Sequence, residues 1–360
     1  MIYLDYQATT PLAPEARAAM LRWLDGPEGD GFANPHSPHR IGRRAAAAVE
    51  VAREQVAALF PDGGRVIFTS GATESINLAI RGSANGATGP VLASAIEHAA
   101  VLDTARHAGP SAIWPVDAEG LILPEPPLET APRLIATMQV NNEIGTIQPI
   151  ARAAELAAKH GALLLVDAVQ AAGRMKIAEA DLIAVSAHKL HGPKGIGALW
   201  VKDGISLDPV ITGGGQEGDV RSGTLSPALC AGFGGAAKIA LERMDEDAAH
   251  VESLWQAARD LFSDWTLNGS ERYRWHGNLN LRCDGLDVNR LMSDVRDVAF
   301  SAGSACASGS GRTSHVLKAI GLSDAQARNS IRLGFGRYTT LAEIEAAAAA
   351  INRAAKEQTA

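Results

Sequence analysis

The sequence predicts an α/β fold: a mainly parallel sheet covered by helices on both faces, with a second, smaller α+β unit beside it. Three observations carry this. Short apolar runs alternate with amphipathic helical patterns over roughly residues 14–245. Those runs are near-continuous in apolar residues, as strands buried on both faces require. Beyond residue 245 the alternation gives way to a polar helix, short strand-like pieces and an alanine-rich terminal helix.

In chain order, Val66–Thr69, Val91–Ser94, Leu134–Met138, Leu163–Val166, Leu182–Val185 and Ala198–Val201 read as strands. Between them, Ile41, Ala45, Val49, Ala52, Val56 and Leu59 recur at helical spacing within Arg40–Phe60. Ile150–His160 reads as a helix closed by Gly161 in the position past the last turn that favours a left-handed glycine. A polar helix follows near Glu242–Leu261, then a strand at Asn278–Leu281, a Gly/Ser/Ala-rich loop at Ser301–Thr313 and a helix near Leu341–Lys356. The expected division is a large domain at 14–245 and a small one made of 1–13 plus 246–360, the latter carrying the 301–313 loop.

Composition narrows the function. The 360 residues are 46% apolar and 20% charged, enough for a sizeable core. The formal net charge is -7 and no long run of Lys or Arg offsets it, so nucleic-acid binding is not expected. The Met1–Asp5 stretch lacks the basic and apolar regions of a secretory signal, and no apolar run nears the roughly 20 residues that span a bilayer. A cytoplasmic protein with no membrane partner is expected. The three cysteines, Cys230, Cys283 and Cys306, are too few for a disulfide framework, and none sits in a zinc-type CxxC.

Ligands of open α/β sheets collect at the carboxyl ends of the strands, so the residues just after each strand matter most. After Val66–Thr69, Ser70-Gly71-Ala72-Thr73-Glu74 opens a helix whose N-terminus suits an anion such as phosphate; Thr73 alone could equally be an N-cap. After Val91–Ser94 comes Glu97-His98, where the histidine could stack on a ring, relay protons or be a satisfied interior residue. After Leu163–Val166 come Asp167 and Gln170; Asp167 suits a cationic ring nitrogen or a structural salt bridge. After Leu182–Val185 comes Ser186-Ala187-His188-Lys189 beside a Gly/Pro turn, and a lysine there can form a Schiff base. His188 and His191 lack a third ligand at a supportive spacing, so no metal is expected. Each feature alone is weak. In order along one sheet, they are the parts of a pyridoxal phosphate site: Lys for covalent attachment, Asp for the ring nitrogen and polar groups for the phosphate.

Tyr3-Leu4-Asp5-Tyr6-Gln7-Ala8-Thr9-Thr10-Pro11, Thr69–Ser75, Asn141-Asn142-Glu143-Ile144-Gly145, His188–Gly195, Arg221-Ser222-Gly223-Thr224 and Ser304-Ala305-Cys306 together resemble the cysteine desulfurases of the NifS/IscS-like type, within the class V aminotransferases. The matches run in the family's order from residue 3 to about residue 340. The resemblance implies fold type I of the pyridoxal-phosphate transferases, with a seven-stranded-type sheet, acting as a homodimer. It implies Lys189 as the cofactor-bound lysine and His98 stacked on the ring. It places Asp167 at the ring nitrogen, Gln170 at the ring hydroxyl and Thr73, Ser186 and His188 around the phosphate, with Ala72 and Asn142 also at the cofactor. Thr224 would reach the other subunit's phosphate. Asn142 and Arg332 would position the substrate carboxylate, and Cys306 would accept sulfur as a persulfide. Cys306 is also a candidate transient iron–sulfur ligand. Ile96 and Val169 stand where the family more often has Thr, and neither replaces a catalytic group.

The expected reaction converts L-cysteine to L-alanine, with the sulfur passed on to an acceptor or iron–sulfur scaffold protein. The spacing from Cys306 to Val316 matches the long-loop, IscS-like branch. The chain ends soon after its last helix, so scaffold docking at an extended C-terminus is not expected. The small residues around Cys306, Ser301–Gly309, cannot pack a core and should leave the thiol mobile and exposed, whereas Cys230 and Cys283 lie in apolar or strand-like contexts. Two other readings compete. A related lyase or aminotransferase, for instance one acting on selenocysteine, would not need Cys306. A sulfur carrier with a vestigial site would not keep Lys189, Asp167, His98 and Thr73.

Overall fold

The computed structural model describes residues 1–84, 86, 88–303 and 313–359. Strand β1 (Ile2–Tyr3) precedes a seven-stranded sheet built from β2 (Gly64–Thr69), β3 (Val91–Ser94), β4 (Ser111–Trp114), β5 (Leu134–Met138), β6 (Leu163–Asp167), β7 (Leu182–Ser186) and β8 (Gly197–Lys202), in the order β2-β8-β7-β6-β5-β3-β4. Only β8 runs antiparallel to its neighbours in this sheet. The expected strands are all present, most a residue longer at an end. β4 was not expected.

The strands read as continuous apolar runs because both faces are covered. Alternate residues, such as Phe68, Ile135, Val166 and Ile183, enter a core with the helices Arg40–Ala57, Ile150–His160 and Pro227–Glu242. Their neighbours Ile67, Leu134, Leu165 and Leu182 enter another with Ala72–Gly82 and Ala99–Ala108. Gly161 closes its helix in the left-handed conformation, φ 64°, as expected.

A separate apolar cluster joins Leu4, the helices Met244–Leu261 and Leu341–Thr359, and a four-stranded sheet. That sheet comprises β9 (Thr266–Leu267), β10 (Asn278–Arg282), β12 (Ser301–Ala302) and β13 (Ser330–Gly334), in the order β12-β13-β10-β9. β11 (Val298–Ala299) pairs in parallel with β1. Ser301 and Ala302, expected to open a loop, instead pair with Arg332 and Ile331, and residues 304–312 of that expected loop lie outside the described residues. No helix among the described residues is long and apolar enough to cross a membrane.

Candidate active site

The carboxyl ends of β2, β3, β5, β6 and β7 converge on a cavity of about 580 Å³. Ala72, Thr73, His98, Asn142, Asp167, Gln170, Ser186, His188, Lys189 and Arg332, all expected from the sequence, line it. Thr224 is exposed and does not line this cavity. Cys306 lies outside the described residues.

At the end of β2 the chain turns through Gly71, whose φ of 156° suits glycine, and enters the helix with no side-chain cap. The first N–H groups of that helix are thus available to an anion at the cavity wall. Thr73 is inside the first turn and is not the N-cap. Glu74 braces this turn: it accepts from the Ser70 N–H at 2.7 Å and pairs with Arg221 at 2.8 Å. Burial works against the Glu74 charge, but Arg221 and Ser70 prevail and hold its carboxyl below the usual range.

Asp167 ends β6 almost wholly buried, with Oδ1 accepting from the Val169 N–H at 3.0 Å. Burial pushes its carboxyl up, against that hydrogen bond and the nearby His98 and Lys189. A cation brought to this carboxylate would restore the balance. His98 caps the helix Ala99–Ala108 by accepting from the Ala100 N–H at Nδ1, 3.0 Å, which leaves the neutral ring's proton on Nε2. Burial lowers its pKa; Asp167 opposes, while Lys189 and His315 add to the shift.

Lys189 sits at the end of a single 3₁₀ turn after β7. Its ammonium donates to the backbone carbonyls of Gln7 and, at 2.8 Å, Ala8. His188 contacts the Thr9 hydroxyl through Nδ1 at 3.2 Å, and burial, then Lys189 and Lys194, lower it to about 4. Gln170 donates to the Gln7 carbonyl at 3.1 Å. Arg332 arrives from β13, the other side of the cavity, and donates to the Asn142 carbonyl at 3.0 Å. No group of three or more His, Cys, Asp or Glu able to hold a metal occurs among the described residues.

The structure adds residues that sequence reasoning left without a role. Gln7, Ala8, Met138, Val140 and Lys194 line the cavity too. Glu97, beside His98, is fully buried. A carboxylate at the end of so apolar a run as Val91–Ser94 was the available signal for it.

The aminotransferase class-V family model matches residues 2–347. A cysteine desulfurase IscS of Rickettsia bellii is 40% identical over 96% of this chain and 88% of its own length. Among solved structures, a NifS-like protein from Rickettsia africae superposes with a TM-score of 0.89 at 27% identity, covering 98% of this chain and 99% of that one. A second, SspA in complex with cysteine, gives a TM-score of 0.82 at 33% identity over 94% of this chain and 100% of that one.

Proposed function

We infer the chemistry of this cavity from one premise: the chain belongs to the aminotransferase class-V family and, within it, to the cysteine desulfurases. It takes sulfur from L-cysteine onto Cys306 and releases L-alanine. The observation that carries the reading is the meeting of Lys189, Asp167 and His98 at three strand ends with Arg332 from the second sheet.

Pyridoxal phosphate, on which the family depends, fits the residues present. The uncapped turn at Ala72 and Thr73, with Ser186 and His188, suits its phosphate, Thr224 of a second copy completing that end. The buried Asp167 suits a protonated ring nitrogen, Gln170 the ring hydroxyl, and His98 the ring face. When bound, the cofactor supplies an electron sink for charge at the substrate's α-carbon.

The chain's own residues do the rest. Arg332 and Asn142 hold the substrate carboxylate, Arg332 by its planar array of donors. The Lys189 amine takes the α-proton. The Cys306 thiolate attacks the substrate sulfur; the S–S bond forms as the C–S bond breaks, and the electron pair stays with carbon. His98 delivers a proton toward that carbon through Nε2, Lys189 returns a proton to the α-carbon, and alanine leaves. The other thiols are poor candidates. Cys230 is buried and pushed up to about 12, and burial also raises Cys283.

Supporting evidence for two domains, 14–245 and 1–13 plus 246–360, comes from Leu4 packing into the second apolar cluster. The sulfur then passes from Cys306 to an acceptor or iron–sulfur scaffold protein. The test is to incubate the purified holoenzyme with L-cysteine and no reductant. Alanine should appear, and one extra sulfur should map to the Cys306 peptide and leave on adding a thiol. Cys306→Ala should keep its absorbance yet release almost no alanine. Turnover by Cys306→Ala at the wild-type rate, or extra sulfur on Cys230 or Cys283, would defeat the reading.

A further inference from the structure

We propose that Asp5 is the positioning residue that makes Arg332 a receptor for the carboxylate of an α-amino acid. The proposal rests on the reading above, in which Arg332 takes that carboxylate.

Arg332 is fully buried, in a strand with a partner on each side. A buried guanidinium needs both a counter-charge and partners for its five N–H groups. Asp5 supplies the charge: its Oδ1 accepts from Arg332 Nη2 at 2.7 Å. The Ser301 hydroxyl closes the arrangement, donating to the same Asp5 oxygen at 2.8 Å and accepting from Nη2 at 3.3 Å. The Asn142 carbonyl takes a hydrogen of Nη1 at 3.0 Å. Three donors are thus engaged. Nε, buried, has no hydrogen-bond partner among the described residues. With Nη2 held by Asp5 and Ser301, the second hydrogen of Nη1 is the donor left for an incoming carboxylate, which need not displace Asp5.

Asp5 is itself held by the backbone. It bridges to Gly334 in parallel register, and the Tyr3 hydroxyl donates to its carbonyl at 3.2 Å. Two and three residues on, the carbonyls of Gln7 and Ala8 accept from Lys189 Nζ. Residues 5–8 therefore hold the group that meets the substrate's carboxylate at one end and the lysine that meets its α-carbon at the other.

The test compares two ligands of the holoenzyme, L-alanine and ethylamine, which differ only in the carboxylate. Binding is read from the change in cofactor absorbance on titration. Asp5→Asn should weaken alanine roughly tenfold, the scale of one charge-assisted contact, and leave ethylamine within about twofold. Equal weakening of both ligands, or no weakening of either, would overturn the proposal. Arg332→Gln is the control. If it too fails to weaken alanine selectively, the carboxylate reading of Arg332 falls; if it does so while Asp5→Asn does not, only the role of Asp5 falls. Should Asp5→Asn not yield folded protein, Ser301→Ala decides: it should weaken alanine selectively by roughly two- to fivefold, since it loosens Asp5 and leaves the charge pair. No selective effect would overturn the proposal.

Discussion

Lys189 reaches over the end of the sheet to Ala8, donating to its carbonyl at 2.8 Å from a position 181 residues away in the chain. A lysine so held has its donors committed to those carbonyls, and it becomes a nucleophile toward a bound group only by giving them up. Borohydride reduction of the holoenzyme should fix the cofactor's mass to the peptide containing Lys189. Lys189→Ala should remain folded, show no adduct, and lose at least about 10³-fold in activity, as expected for a missing base and anchor together. An adduct on Lys194, which also lines the cavity, would count against the assignment.

Glu97 gives a pH dependence of stability with a definite sign. It is fully buried, Oε1 accepts from the Met138 N–H at 2.7 Å and from the Ser94 hydroxyl, and Oε2 has no hydrogen-bond partner among the described residues. Burial, with a contribution from Asp167, pushes it up to about 8 from 4.5 despite the bonds from Ser94 and Met138. The folded chain thus keeps a proton that the unfolded chain has lost. The stability this lends is complete below pH 4.5 and is lost as pH rises through about 8. Glu97→Gln cannot ionise, so its stability should gain on wild type by a few kcal/mol at most, on the order of the shift, between pH 5 and 8.5. Urea midpoints at the two pH values measure this, and parallel pH curves would disprove it.

A second prediction of stability concerns Arg53 and Glu217. Arg53 grips both Glu217 oxygens, Nη1 to Oε2 at 2.7 Å and Nη2 to Oε1 at 2.8 Å, and the Phe68 N–H donates to Oε2 at 2.7 Å. The carboxylate ties the helix Arg40–Ala57 to β2, just before the turn that faces the cavity. Glu217→Ala leaves Arg53 with Glu50 as its remaining carboxylate partner and strands a buried N–H, and should cost about 2 kcal/mol in urea denaturation. A loss below about 1 kcal/mol would show that water replaces the carboxylate readily.

Thr224 is exposed and away from its own cavity, which fits a role toward a second copy. Mixing Thr224→Ala with Lys189→Ala subunits should give heterodimers with one site carrying both lesions and one carrying neither. Activity should then recover toward half of the wild-type value per mixed dimer. Verified heterodimers without recovery would exclude a shared site.

The strand ends were legible because their chemistry is local. Lys189, Asp167 and His98 each follow an apolar run directly, and the topology of an α/β sheet does the gathering. The segment Gln7–Ala8 and the pairing of Asp5 with Arg332 were not legible as contacts, since nothing near residue 5 announces a partner in β13. Strand β4 escaped because it is an edge strand of four residues, Ser111–Trp114, half of them exposed, with no long apolar run. The reversed direction of β8 leaves no trace in composition, because a central strand is apolar either way.

The pairing of Ile2 with Val298, and of Asp5 with Arg332 327 residues later, also bears on how the chain is made. During synthesis, residues 2–8 leave the ribosome long before their partners exist, while the central sheet from β2 to β8 is complete once residue 202 has emerged. The helices and sheet around Lys189 can therefore fold on the nascent chain. The carbonyls that hold its ammonium take their final place only when β13 is out, and closing so long a loop is slow. A nascent chain stalled near residue 250 should resist protease across its sheet and yet be unable to retain the cofactor. Catalytic competence would thus be acquired in one late step, once β13 has emerged.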